Sequence, residues 1–395
     1  MSAAAFSKEQ MLPQRIGPIP AAASDPAALL EQLKLHKRAL VQSYARASDV
    51  RGALAVSSTL LPMGALWYAA AWIGSAHGAV ALLLALPMSL LLLRCFALLH
   101  DCGHGSLFRT ARLNRAFGFV FGVISGMPQY VWSQHHHYHH CTNGNWSRYR
   151  GPLAILSVQE FDALTPRQQR AYVRSRHPAL APLAGLMYLI GQPRLNWLRG
   201  TRDLLAHLRR EKVAQPDVAL RTLAAQFRTR RWKTAAEYRH MTLNNLVLLA
   251  LWVLMSLWLG AALFFGLYLL GTALAGAAGL VLFTVQHNFE PSYAGDDHEW
   301  DYDEAALYGS SFLVLPGWLN WCTANIGYHH VHHLSARIPS YRLPACHAEH
   351  AALFAGVHRL RLRDILPSLD YLLWDADGRR LMTVAAHRAA RERAA

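Results

Sequence analysis

Charge is missing from two long parts of this 395-residue sequence: no Asp, Glu, Lys or Arg occurs from Gly52 to Leu93 or from Met241 to Phe289. One helical crossing of bilayer hydrocarbon takes about 20 residues, so each stretch is long enough to cross, turn and cross back. An ordinary soluble domain is excluded. Turns are expected at Gly74-Ser75-Ala76-His77-Gly78 and near Gly260, which puts four spans near residues 54–73, 79–99, 243–261 and 264–286. Cysteine is also sparse. Cys95, Cys102, Cys141, Cys322 and Cys346 are odd in number and form no Cys-x2-Cys pair, which predicts free thiols and argues against a cysteine-rich iron–sulfur site.

Several motifs are absent as well. Without His-Glu-x2-His the chain is not a zinc hydrolase of that type, and a single Glu-x2-His, Glu237-x2-His240, falls short of the two that soluble carboxylate di-iron bundles use. That pair reads as a surface helix feature. A fused cytochrome b5 would bring His-Pro-Gly-Gly, which does not occur. The first 25 residues, rich in Ala, Pro and Ser, have no apolar core of a signal peptide and read as a loose tail. Acidic residues are outnumbered, 24 to 39, for a net charge of +15. The excess lies mostly in loops, where positive-inside bias and anionic headgroups explain it without nucleic acid.

What the chain has is histidine in three clusters: His100-x3-His104, His136-x2-His139-His140 and His329-x2-His332-His333. On a helix, residues at i, i+3 and i+4 share a face, so each cluster aims its imidazoles at a common point. Eight convergent nitrogens exceed what one zinc takes and suit two metals with open positions. That arithmetic favours a dinuclear redox centre. If each charge-free stretch crosses twice, all three clusters lie on one aqueous face. Lys34, Lys37, Arg38, Arg46 and Arg51, together with the basic segment 109–239, mark that face as cytoplasmic. Such a site takes electrons from soluble donors and substrate from the lipid. An unactivated CH2 group offers no acidic proton and no carbonyl to polarise, so a metal centre with oxygen is the available tool.

The clusters, in their contexts, carry a resemblance. His100-Asp101-Cys102-Gly103-His104-Gly105-Ser106, the run WSQHHHYHHCTN from Trp132 to Asn143 and the run NIGYHHVHHLSARIPSYRL from Asn325 to Leu343 resemble the three histidine boxes of membrane fatty acid desaturases. The acyl-lipid type acting on already unsaturated chains is the most similar. The resemblance covers about residues 54–343. It implies an iron pair, O2 as oxidant, and two electrons per double bond from a separate ferredoxin or cytochrome b5. It also implies a further ligand in a Gln-His context, matched by Gln286-His287. The implied ligand set is His100, His104, His136, His139, His140, His287, His329, His332 and His333, with His135 and His137 spare and a one-residue register slip in the second box left open. His330 supports its neighbours or faces away. Asp101 and Asn325 are the expected partners of ligand rings.

The expectation is therefore an all-α integral membrane protein. Four transmembrane helices in two hairpins would lie under a cytoplasmic helical cap, with segments 1–50, 51–343 and 344–395 as cytoplasmic N-terminal part, desaturase domain and cytoplasmic C-terminal part. The implied activity is insertion of a cis double bond into the acyl chain of a membrane lipid, in a bacterial-type cytoplasmic membrane. A hydroxylase or ketolase of the same superfamily, acting on alkane, sphingolipid or carotenoid, remains an alternative. So does a divalent-metal transporter, which would place ionisable groups inside the spans. Residues 117–132 and 178–198 read as interfacial helices or an extra pair of spans, and residues 159–176 and 199–231 as polar cover over the site. Arg94 is expected to snorkel to the interface, and Pro87 to kink the second span.

Overall fold

The computed structural model describes residues 25–394. The expected loose tail lies outside them except for Asp25, which caps α1 (Pro26–Tyr44) by accepting from the Ala27 N–H at 3.1 Å. Leu29, Leu33, Leu40 and Tyr44 form the buried stripe of α1. It packs on the short helices Tyr302–Tyr308 and Leu343–Glu349.

Helix α2 (Asp49–Ala81) is apolar on every side, with Leu54, Leu61, Tyr68 and Trp72 exposed, as expected of a helix solvated by lipid. The turn expected at Gly74–Gly78 takes the form of a break at His77 (φ −143, ψ 66), where two helices meet within α2, followed by a 3-10 turn at Leu82–Leu84 and by α3 (Ala85–His104). Pro87 sits in the first turn of α3, directly after that 3-10 turn. Three helical stretches are long and apolar enough to cross a membrane: Asp49–His104, Ala235–Leu259 and Ala261–Val285.

Arg94 departs from expectation. It is buried, donates to Thr59 Oγ1 at 2.9 Å and to the Trp321 carbonyl, and lies 4.0 Å above the Trp321 ring. Local acceptors and a π face satisfy it, so it has no need to reach the interface.

Glycines end the helices that carry the histidines. Gly105 (φ +69) stops α3 one residue after His104, a left-handed C-cap that costs a residue with Cβ considerably more. After α4 (Ala111–Ser125), Gly126 (φ +75) and Pro128 turn the chain into α5 (Gln129–Thr142). Helix α4 packs one face against α3, with Phe121 wholly buried, and leaves Arg112, Arg115 and Val120 exposed. The short helix α6 (Ala181–Leu186) leads through a wide π-type turn into α7 (Gln192–Ala214). Next come α8 (Ala235–Leu259) and α9 (Ala261–Val285), divided at Gly260 as expected. Helices α6 and α9 cross backbone to backbone at Gly185 and Gly276, where a Cβ on Gly185 would lie 2.3 Å from the Gly276 carbonyl carbon.

The cap is not wholly helical, which corrects the all-α expectation to a predominantly helical one. Strands β1 (Leu156–Ser157), β4 (Tyr371–Asp375) and β5 (Arg380–Thr383) form one small sheet, with β1 parallel and β5 antiparallel to β4. Strands β2 (Phe312–Leu313) and β3 (Arg359–Leu360) form a parallel pair. The first sheet exists because Trp374 stacks on Trp146 at 5.1 Å and buries against Ile155 and Leu381. Residues 159–176 serve this sheet, Tyr172 donating to the Leu372 carbonyl at 2.7 Å, rather than covering the histidines. All five cysteines are free thiols.

Candidate metal centre

Three elements deliver the clusters. The last turns of α3 present His100 and His104, α5 presents His136, His139 and His140, and the short helix α10 (His329–Leu334) presents His329, His332 and His333. His287 lies two residues beyond the end of α9. All nine gather into two adjoining groups. His100, His104, His136, His140 and His332 form one, and His139, His287, His329 and His333 the other; within each group one ring nitrogen per residue lies within 4.8 Å of every other. His135 and His137 are exposed and belong to neither group.

The nitrogens face one another. His139 Nε2 lies 3.2 Å from His333 Nε2, His333 Nε2 3.1 Å from His329 Nε2, and His329 Nε2 3.0 Å from His287 Nε2. In the other group His140 Nε2 is 3.0 Å from both His136 Nε2 and His332 Nε2, while the buried Nε2 atoms of His100 and His104 have no partner among the described residues. A proton cannot serve so many converging lone pairs. Nitrogens about 2 Å from a common ion lie about 3 Å from their neighbours in the coordination shell, so these spacings fit a metal in each group.

Burial keeps the rings neutral, the form that binds metal. His139, His140, His329, His332 and His333 are held well below the ordinary histidine pKa, first by loss of water and then by neighbouring imidazoles. His287 is lowered to about 4 by burial, against the opposing hydrogen bond of its Nδ1 to the Gly309 carbonyl at 2.8 Å. That bond places the proton on Nδ1 and leaves Nε2 as the lone-pair donor. Trp132 stacks on His136, centroids 4.6 Å apart and nearly parallel, and so fixes that ring.

Asp101 Oδ1 approaches His100 Nδ1 at 3.4 Å, while its Oδ2 accepts from the Ser340 N–H at 3.0 Å. Asn325 (φ +59) donates to the Ser340 carbonyl at 3.0 Å rather than to a ring. The two residues thus clamp Ser340 from both sides and tie the third box to the first. His330 is turned away from both groups, its Nε2 2.9 Å from His347 Nδ1. Glu237 is not on the surface. It is buried and accepts from the Lys233 N–H at 2.6 Å at the start of α8, and His240 packs between Phe119 and Tyr130.

Sequence reasoning missed the Gly309 carbonyl and Tyr302, which donates to the His333 carbonyl at 2.8 Å. Neither has a local signal, because each meets its histidine only through the fold.

The family model for fatty acid desaturases matches residues 74–365. Over 363 residues, 91% of this chain and 94% of the other, the sequence is 31% identical to the fatty acid desaturase of Bacillus subtilis (strain 168). The chain belongs to the fatty acid desaturase family. It is also 27% identical over 256 residues to the chloroplastic omega-3 fatty acid desaturase of Sesamum indicum, covering 63% of this desaturase and 50% of the plant protein.

The histidines of the desaturase open into a cavity of about 430 Å³ between α3 and α9. His100, His136, His139 and His329 stand at one end, and the rest of the wall is mainly apolar, including Leu92, Phe96, Leu189 and Phe283. The lining thus reaches both histidine groups, His100 and His136 from one and His139 and His329 from the other.

Proposed function

We propose that this desaturase inserts a cis double bond into the acyl chain of a membrane lipid at two irons held by the nine histidines, with O2 as oxidant. The observation that carries the reading is the pairing of two groups of converging neutral imidazoles with an apolar cavity that ends on them. The balance is one CH2–CH2 unit, O2, two electrons and two protons giving one alkene and two waters. Bound iron with O2 supplies the oxidising power that no side chain of this protein has.

The protein's own part is positioning. His136, His140, His139, His329, His332 and His333 project from two short helices at fixed spacing, and burial removes the need to expel a proton before a metal binds. Apolar walls gain about 0.8 kcal/mol per CH2 buried and exclude water from the reacting carbons. No ferredoxin-like cysteine spacing or cytochrome b5 motif occurs in the chain, so electrons come from a separate protein. We place the histidines on the cytoplasmic side of a bacterial-type membrane crossed four times, supported by the uncharged turns and the basic flanks.

The test is mass-spectrometric profiling of all acyl chains in a host expressing the protein with ferredoxin and its reductase, beside His139→Ala and His332→Ala. New double bonds only with intact boxes are expected. New hydroxyl or keto groups would move the protein to the oxygenase branch, and unchanged lipids would contradict the reading.

A further inference from the structure

The cavity has two unlike ends. Along α9 its wall is Thr272, Ala275, Gly276, Gly279 and Phe283, one helical face that descends roughly 16 Å from the histidine end. Gly276 is taken up by the crossing with Gly185, while Ala275 and Gly279 leave a groove on that face, and Leu92 and Phe96 of α3 line the same cavity. Close to the histidines the wall changes character. Tyr188 and Tyr149 both line the cavity there, and the Tyr149 ring is 5.0 Å from His139.

The hydrogen bonding of these phenols is incomplete in a directed way. Trp132 Nε1–H donates to the Tyr188 oxygen at 2.9 Å, which occupies an acceptor site and leaves the Tyr188 O–H to donate elsewhere. The same Trp132 stacks on His136, so this phenol is held in register with a ring of the metal centre. The Tyr149 hydroxyl makes no hydrogen bond among the described residues. Two donors therefore stand by the histidines in an otherwise largely apolar chamber. The group of an acyl lipid that accepts such bonds is the ester carbonyl. Hydroxyls also occur at the far end, on Ser125 and Thr272. A carbonyl there would draw the polar lipid head deep between α3 and α9, away from water, at a cost of some kcal/mol.

We propose that Tyr188 and Tyr149 hold the ester carbonyl of the acyl chain at the histidine end of the cavity, with the methyl-side tail along the groove of α9, so that the double bond is placed by counting from the carbonyl. This rests on the acyl-desaturase reading. It makes the two tyrosines positioning residues and sets the new bond near the carbonyl end, because the donors adjoin the metal centre.

The first experiment supplies the expressing host with saturated chains of several lengths and maps the double bond in each. A constant distance from the carbonyl is expected, and a constant distance from the methyl end overturns the proposal. Tyr188→Phe and Tyr149→Phe, checked for an unchanged melting temperature, are expected to spread the bond over neighbouring carbons, and an unchanged single position in the double variant overturns it. The purified metal-free protein gives an independent reading from binding of an acyl methyl ester against an alkane of equal length. The ester preference is expected to fall by about 2- to 10-fold in the Phe variants, and no fall, or no preference in the unsubstituted protein, overturns the proposal. If no chain gains a double bond, the desaturase reading fails by itself, and ester binding still decides the role of the tyrosines.

Discussion

The two histidine groups are built from the same boxes but not in the same way. The five-residue group draws on all three boxes, whereas the four-residue group takes nothing from the first box and is completed by the isolated His287. On α5, His136 and His140 go to one group and His139 to the other; on α10, His329 and His333 go to one group and His332 to the other. Each i,i+4 pair stays together, and the residue at i+3 crosses over. A box is therefore a unit of sequence, while each metal site is assembled from parts of three elements. Helix geometry explains the division, since i and i+4 differ by about 40° around the axis and i+3 lies about 60° to the other side.

The groups also differ in enclosure. Every member of the four-residue group is buried, while His104 of the other is partly exposed. With one ligand fewer, the four-residue group has less to lose. The largest expected effect is thus His329→Ala, which removes a ligand whose Nε2 touches both His287 and His333. Desaturation should fall by at least about 100-fold, with metal content dropping toward one ion per chain. His287→Ala should lose more metal than His104→Ala, measured by elemental analysis of protein purified in the same way. Equal losses would break the comparison.

A weaker effect is expected for Asp101→Asn, about 10-fold in activity, because Asp101 supports His100 only at 3.4 Å while also holding Ser340. Acid should act on the metal-free protein in a defined sense. In the unfolded chain histidines bind protons below about pH 6.5, whereas His287, at about 4, and its buried neighbours do not until the pH is lower. Stability is therefore complete above about pH 6.5 and declines as pH falls through that value toward the folded pKa values. Melting temperature against pH should show a shallower decline in His329→Ala. The smallest effect is expected of His137→Ala, an exposed ring outside both groups. Unchanged metal content there, with loss in His136→Ala, would fix the register of the second box.

How far the sequence foretold this structure depends on the range of the interaction. Eight of the nine histidines were legible because helical spacing is local and charge-free runs announce hydrocarbon. His287 was legible through resemblance alone, since a lone histidine two residues past an apolar helix has no periodicity to mark it. The place of the turn at His77 was legible, because Gly74 and Gly78 bracket it, but its form, a one-residue break, has no local signal. Arg94 was misjudged for a similar reason. Its partners, Thr59 and Trp321, lie 35 and 227 residues away and come together only in the fold. The small cap sheets escaped notice because their strands are two to five residues long, and β1 meets β4 only across more than 200 positions.

The central claim is that two groups of histidine hold two irons. Its most direct test is the iron content of the purified protein, with Mössbauer spectroscopy of the iron-loaded form, alongside His329→Ala and His104→Ala. Two irons per chain are predicted, in two nitrogen-rich environments, with His329→Ala losing the signal of one environment first. A single iron, or two ions that stay in place when His329 and His104 are both removed, would contradict the account.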